Sequence, residues 1–311
     1  MSSDPGRTGP PASQALTWYR RQLPLSHTST LQSASGHADF MSASTPATVT
    51  AKTWVIATGS SAVVPPIDGL DQTEYLTNRD IFYMDRLPAS MIILGGGPIG
   101  IEMAQAFNRL GTKVSGIDMA PQILGRVDRD MADAVMGVLQ VEGVAFRLNS
   151  AVSRVRQAGD RRIVTLQDAD GQSHRLEAEA LLVAIGRVAN VEGLGLEGIG
   201  IDFDRQGIKT DDRLRTTHKH IYAAGDINGG YQFTHAAGYE GGIVVSNAVF
   251  RLPRKTDYTH IPWCTYTDPE LASIGMNEKA AQRAGIDYRV WSEPFGSNDR
   301  SLAEGERTGQ I

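Results

Sequence analysis

"MIILGGGPIGIE", residues 91–102, decides how the rest of the chain is read. A short apolar strand runs straight into three glycines and a proline, and a helix-forming stretch follows. Gly95, Gly97 and Gly100 carry the spacing G-x-G-x-x-G. At the end of a strand the first glycine makes a tight turn, the second lets a pyrophosphate approach the backbone, and the third lets helix pack closely on strand. Pro98 suits the first helical turn and Gly111 stands just past the helix end. The helix N-terminus offers unpaired N–H groups and a positive dipole end to phosphates. "KVSGID" (113–118) is the next strand, and Asp118 ends it about 20 residues beyond the loop, where an acid accepts hydrogen bonds from a ribose 2′-OH. A 2′-phosphate would be repelled there, and "MAPQ" (119–122) holds no cation, so NAD is expected over NADP. Arg126 and Arg129 read as loop and helix start beyond the ribose. The pattern also fits a glycine turn with a chance acid in an unrelated α/β unit.

Working outward, the alternation continues. Residues 128–143 read as a helix, and "VSRVRQ", "RRIVTLQD" and "QSHRLEA" read as an antiparallel ribbon turning at Ala-Asp-Gly (169–171). "ALLVAIG" (180–186) and "HIYAAGDI" (220–227) read as strands. Residues 234–250 are poor in charge and read as a buried helix. From 256, strands around a Pro-Glu turn precede an exposed helix, "NEKAAQRAG". Upstream, 36–60 read as short strands ending in a buried "TWVIAT", and "PPIDGL" (65–70) as a linker. Residues 1–35 are rich in Pro, Ser and Thr and read as a disordered or foreign leader, with one short helix near 12–21.

Composition narrows the class. The chain has 311 residues, enough for two domains or pieces of three at about 150 residues per domain. Apolar residues make up 41% and charged residues 21%, as in a soluble globular protein. Thirty Lys and Arg against 35 Asp and Glu leave a net charge of −5, which gives no electrostatic reason to expect nucleic acid. A single cysteine, Cys264, excludes an internal disulfide and a cysteine-rich zinc site. The most apolar stretch, 91–107, is shorter than the ~20 residues of a membrane span. With no secretory h-region either, no membrane partner is expected and the cytoplasm is the default.

The motifs together resemble those of the pyridine nucleotide–disulfide oxidoreductases, the group containing dihydrolipoamide dehydrogenase and mercuric reductase. The matching stretches are "VIATGS" (55–60), "GGGPIGIEMA" (95–104), "VAIGRVAN" (183–190), "IYAAGDI" (221–227), "THAAGYEG" (234–241) and "TYTDPELASIG" (265–275), in family order and near family spacing. The resemblance implies an α/β fold: a Rossmann-like NAD domain (86–199) inserted in part of an FAD domain (36–85 and 200–254), then part of an α+β dimerisation domain (255–311). It implies FAD and NAD as cofactors, a homodimer, and an oxidoreductase that passes hydride between nicotinamide and flavin to a small-molecule acceptor. Carried over residue by residue, Asp226 after Gly225 bonds the flavin ribitol. Phe233, Thr234, His235 and Ala236 line the flavin, and Thr58 and Gly59 pass near it. Val152 and Gly186 flank the nicotinamide nucleotide, and Glu102 lies near the nicotinamide ring.

Two departures qualify the resemblance. The family's redox pair, two cysteines four residues apart, has no counterpart, because no cysteine precedes Cys264. The FAD pyrophosphate loop and the acid–base His-Glu pair are likewise not in this sequence, so the chain reads as truncated at both ends and no residue is assigned a catalytic role. A catalytically inactive NAD-binding remnant and an interaction partner of a full-length relative are the rival readings. His218 and His220 alternate like a metal pair, but no third ligand is evident and no metal is expected.

Overall fold

The computed structural model describes residues 29–33, 37–41, 46–305 and 308–311. The short helix expected near 12–21 lies outside them. β1 (Ser29–Ser33), β2 (His37–Met41) and β3 (Pro46–Thr50) form an antiparallel sheet in sequence order. β1 falls inside the stretch expected to be a leader: pairing with β2, Ser29 opposite Phe40, fixes a polar run whose own strand signal is weak. β4 (Trp54–Ile56) and β5 (Ser60–Ala62) follow. The 65–70 segment is docked rather than free. The Asp68 carbonyl accepts from the Val155 N–H at 2.8 Å. Gly69 has φ 77°, and a Cβ on it would lie 2.2 Å from the Val155 carbonyl oxygen.

The alternation implied by the glycine loop is realised next. β6 (Ser90–Leu94), α1 (Pro98–Arg109), β7 (Lys113–Ile117), α2 (Arg129–Val141) and β8 (Ala145–Arg147) succeed one another. An antiparallel ribbon of β9 (Ala151–Ala158), β10 (Arg161–Gln167) and β11 (Ser173–Ala178) leads into β12 (Ala180–Val183). β12 inserts beside β6, giving a parallel sheet of order β12-β6-β7-β8. Both faces are covered, as a parallel sheet requires. Met91, Ile93 and Leu182 pack on one face with Ile101 and Phe107 of α1 and Leu139 of α2. Ile92, Leu181 and Val183 pack on the other with Val155, Val164 and Leu166 of the ribbon. The two-residue period of the strands divides these side chains between two cores.

A second region forms around β13 (Arg187–Ala189), β14 (Phe203–Asp204), β15 (Gly207–Ile208) and β16 (Ile221–Ala223). β13 pairs with β5 and β16 with β4, so the chain leaves this region after β5 and returns to it at β13. Ile56, Leu196, Ile208, Ile221 and Ile227 fill its core.

Three expectations change here. "TWVIAT" is a strand only over Trp54–Ile56, paired with β16 alone among the described residues, and Val55 is 50% exposed because it stands outside the core that takes Ile56. "HIYAAGDI" leaves the strand at Ala223, where Gly225 (φ 81°, ψ −157°) turns the chain into a short 3-10 segment. The helix α3 (Thr234–Ala248) is not buried all round. Ala236, Glu240, Ile243 and Val244 face the core, while Thr234, Gly238, Gly242 and Val245 face outward. Its low charge reflects small residues on that outer stripe rather than burial.

β17 (Trp263–Thr265) and β18 (Leu271–Ser273) form an antiparallel pair around a cis Asp268–Pro269 bond, followed by α4 (Glu278–Ala284) and α5 (Asp299–Glu304). This segment docks on the 90–147 module. Leu271 and Trp263 join the core beneath α1. The Arg109 guanidinium bridges Glu142 (2.6 Å) and Asp268 (2.7 Å).

Candidate nucleotide sites

The three loop glycines meet different demands. Gly95 takes φ 109°, and a Cβ on it would lie 2.4 Å from the Ala184 carbonyl oxygen just after β12. At Gly100 a Cβ would lie 2.0 Å from the Gly95 carbonyl oxygen, so α1 packs directly on the loop. Gly97 differs. It is the N-cap of α1 with φ −76°, no side chain caps the helix, and a Cβ there meets nothing within 4 Å. Neither strain nor packing demands glycine at that position. Its open side gives an anion access to the N–H groups of the first helical turn, and the fit of a pyrophosphate rests on this.

Asp118 is fixed beside the loop. One carboxylate oxygen accepts from the Gly96 N–H at 2.5 Å and the other from the Ala120 N–H at 2.7 Å. Of the two cations near it in sequence, Arg129 pairs with Asp133 at 2.8 Å. The fold brings up a third, Arg147 of β8, whose carbonyl accepts from the Asp118 N–H at 3.0 Å. Only the sheet reveals it. The Ser150 N–H donates to the Asp118 carbonyl at 3.0 Å, which places Val152 of β9 nearby, half-buried against the ribbon core. Glu102, one turn into α1, accepts from the Tyr266 N–H at 2.9 Å, so the segment after β17 holds its carboxylate.

The second constellation is built on Asp226. The Ser60 hydroxyl donates to its carboxylate at 2.5 Å, and Arg187 Nε lies 3.6 Å from the same oxygen. Arg187 also donates to the Ser60 hydroxyl and carbonyl, both at 2.7 Å. The turn at Thr58 and Gly59 is latched by Asn190, whose side chain donates to the Thr58 carbonyl (2.8 Å) and whose N–H donates to the Gly59 carbonyl (3.0 Å). Sequence reasoning singled out neither Ser60, Arg187 nor Asn190, although the last two stand in "VAIGRVAN". The available signal was an acid, Asp226, left without a cation. At the start of α3, Phe233 stacks on His235 with ring centroids 5.4 Å apart, and His235 Nε2 hydrogen-bonds the Pro262 carbonyl at 2.7 Å. Thr234 is exposed beside them, whereas Ala236 turns into the core at 0% exposure.

The two constellations meet at one short segment. The Ala184 N–H donates to the Leu94 carbonyl at 2.8 Å, beside the glycine turn. Three residues later Arg187 reaches Asp226. Gly186 lies between them at φ 130°, with open space where a Cβ would be.

Residues 21–241 match the family model described as pyridine nucleotide-disulphide oxidoreductase, and 261–311 match its dimerisation domain. The chain belongs to the pyridine nucleotide-disulphide oxidoreductase family. It is 34% identical over 262 residues to mercuric reductase of Bacillus cereus, covering 84% of this chain and 41% of that protein. Dihydrolipoyl dehydrogenase of Bacillus subtilis (strain 168) is 35% identical over 257 residues, which are 83% of this chain and 55% of the relative. Among solved structures, the HOCl-induced flavoprotein disulfide reductase RclA from Escherichia coli superposes with a TM-score of 0.80 at 30% identity, covering 91% of this chain and 63% of that one. The chain spans about half the length of the curated relatives it matches.

In this member of the oxidoreductase family the one thiol, Cys264, lies half-buried in β17. Burial raises its pKa, and the charges of Glu270 and Glu102 raise it further, which favours the unreactive thiol. His218 Nε2 is engaged by the Ile199 carbonyl at 2.6 Å. Among the described residues no group of His, Cys, Asp and Glu is arranged to hold a metal, and no helix is long and apolar enough to cross a membrane.

Proposed function

We propose that this chain serves an FAD- and NAD-dependent oxidoreductase of the disulfide reductase type, exchanging hydride between nicotinamide and flavin. On this reading residues 86–199 bind the nicotinamide nucleotide, 36–85 and 200–254 contribute part of the flavin domain, and 255–311 contribute part of a homodimer interface. The observation that carries it is the Ala184–Arg187 segment, which ties the glycine turn to the Asp226 constellation within four residues. Two nucleotide sites joined so closely suit direct exchange between the two rings.

Each residue then has a physical task. The first-turn N–H groups of α1 hold a pyrophosphate over Gly97. The Asp118 carboxylate has about four lone-pair sites, so it keeps its bonds to Gly96 and Ala120 while accepting from ribose hydroxyls. The same charge repels a 2′-phosphate, which favours NAD over NADP. Ser60 and Arg187 orient Asp226 toward the flavin polyol, with Thr58, Gly59, Phe233, Thr234 and His235 at its borders. Glu102, held by the Tyr266 N–H, faces the nicotinamide end. A bound flavin would supply two-electron carrier chemistry between NADH and an acceptor, with these residues holding its polyol and borders. The 311 residues hold one cysteine, so no disulfide step is assigned to them. That same cysteine count favours a second reading, nucleotide binding without catalysis.

Titration of wild type and Asp118→Ala with NADH and NADPH tests the nucleotide assignment. Wild type is expected to bind NADH at least about tenfold more tightly, the scale of one charge-assisted hydrogen bond, and the substitution to close most of that gap. Equal wild-type affinities would sink the choice of NAD. Absorbance at 340 nm with added FAD and ferricyanide then follows oxidation. Tight NADH binding without flavin-dependent oxidation selects the second reading.

A further inference from the structure

Behind the Asp226 turn lies a buried carboxylate that the proposed chemistry does not use. Glu240 of α3 is 0% exposed. Its Oε2 accepts from the Gly225 N–H at 2.6 Å and from Asn228 Nδ2 at 2.8 Å, and its Oε1 accepts from the Tyr258 hydroxyl at 2.7 Å. All three donors are neutral. A buried carboxylate served by neutral donors is weak support for stability, since an apolar residue of similar volume avoids the desolvation. Its geometry is specific, however. Gly225 sits at φ 81° and ψ −157°, backbone open essentially to glycine, and a Cβ on it would press within 3.3 Å of Ala237. The N–H that Glu240 holds is thus the one preceding Asp226, whose side chain accepts from Ser60 and lies 3.6 Å from Arg187. Asn228 closes the turn by accepting from the Gly230 N–H at 3.2 Å. Tyr258 brings the chain just before the 261–311 segment onto the same carboxylate.

We propose that Glu240 is a positioning residue that sets the Gly225–Asp226 turn, and with it the direction of the Asp226 carboxylate toward flavin. The proposal rests on the flavin reading above. Reach, not charge, is the operative property. Glu240→Gln keeps a carbonyl oxygen for Gly225 and Asn228 and turns its amide to the Tyr258 oxygen. Glu240→Asp keeps the charge but draws it back by one methylene.

The test uses the full 311-residue chain as wild type, Glu240→Gln, Glu240→Asp and Tyr258→Phe. Hydrogen–deuterium exchange is measured over 222–230 and over 113–141, with FAD affinity by flavin fluorescence and NADH affinity as the internal control. Glu240→Asp is expected to raise exchange over 222–230 at least tenfold and weaken FAD at least tenfold, with exchange over 113–141 and NADH affinity within twofold of wild type. Glu240→Gln and Tyr258→Phe are expected to stay within threefold of wild type in every reading. Unchanged exchange over 222–230 in Glu240→Asp overturns the proposal, as does a rise shared equally by 113–141. A Glu240→Gln variant as impaired as Glu240→Asp also overturns it, because reach without charge would then not suffice. Wild type that takes up no FAD shows that this part of the flavin domain does not hold the cofactor by itself, while the exchange measurement still judges the clamp.

Discussion

At Gly97 and Gly100 the same residue type answers to two different forces, and alanine substitution separates them. Gly100→Ala drives a Cβ to 2.0 Å from the Gly95 carbonyl oxygen, a backbone atom that cannot step aside. Overpacking of this kind costs about 1–3 kcal/mol. Gly97→Ala meets nothing within 4 Å at an ordinary φ of −76°. We expect Gly100→Ala to lower the thermal midpoint by several degrees, and Gly97→Ala to leave it unchanged while weakening NADH at least about tenfold through lost backbone approach. Calorimetry and an NADH fluorescence titration check the pair. A Gly97→Ala protein that binds like wild type would remove the loop's claim on the pyrophosphate. Spacing alone made these glycines legible, because their tasks are local to one turn. Arg187 and Arg147 were not legible in that way: each acquires its partner across the sheet, more than a hundred residues from Ser60 in one case.

Elements carried most of the legible fold. The strand–helix–strand pattern of 90–147 and the ribbon at 151–178 follow from apolar period and turn chemistry, and both formed as expected. Reading failed where tertiary cover decides the outcome, at β1, which a hairpin creates, and at α3, whose small residues mimic a buried pattern. α4 shows how a short helix is held by its surroundings. The Asn277 side chain accepts from the Ala280 N–H, while Asp128 accepts from the N–H groups of Glu278 and Lys279 at 3.1 and 3.0 Å. Cap removal costs about 1 kcal/mol. Asn277→Ala and Asp128→Ala are therefore each expected to speed hydrogen exchange over 277–285 several-fold without changing NADH affinity. Equal protection in all three proteins would show that packing, not capping, holds α4. The β10–β11 turn is a different kind of element, tied by hydrogen bonds to one carboxylate. Asp168 pairs with His174 Nε2 at 2.6 Å, a bond that holds its carboxyl below the usual range, and the Gln172 and Asp170 N–H groups add to it. Glu179, through the Ala89 N–H, and Asp204, through Lys209, are held low as well. A carboxyl lowered on folding favours the folded state above its unfolded value and loses that effect as pH falls through the folded one. The thermal midpoint should thus be level from pH 5 to 8 in this respect and fall below about pH 4. A midpoint that rises on acidification from pH 5 to 3 would contradict these pairings.

The whole molecule presents two surfaces on which copies of the chain can meet, and they make opposite predictions. One is the β4 edge, where Val55 is 50% exposed beside a strand that pairs on one side only among the described residues. Open strand edges of this kind template pairing with another chain. The other belongs to the segment matching the family's dimerisation domain, where Tyr266, Ile274 and Met276 are 73%, 62% and 58% exposed. Exposed apolar side chains clustered in one segment mark an association face more often than chance scatter does. A net charge of −5 on 311 residues supplies little repulsion against either contact. Light scattering on the eluting protein should give a mass near twice the 33.6 kDa of one chain at micromolar concentration. If the dimerisation segment makes the contact, Ile274→Glu with Met276→Glu shifts the mass toward one chain and Val55→Lys does not. The reverse result assigns the contact to edge pairing of β4, which closes at two copies because the far side of β16 is already bonded by the Thr216 N–H to the Ile221 carbonyl and the Ala223 N–H to the Leu214 carbonyl. A wild type that stays monomeric at tens of micromolar overturns both, and leaves the exposed face of 261–311 to a partner other than a second copy.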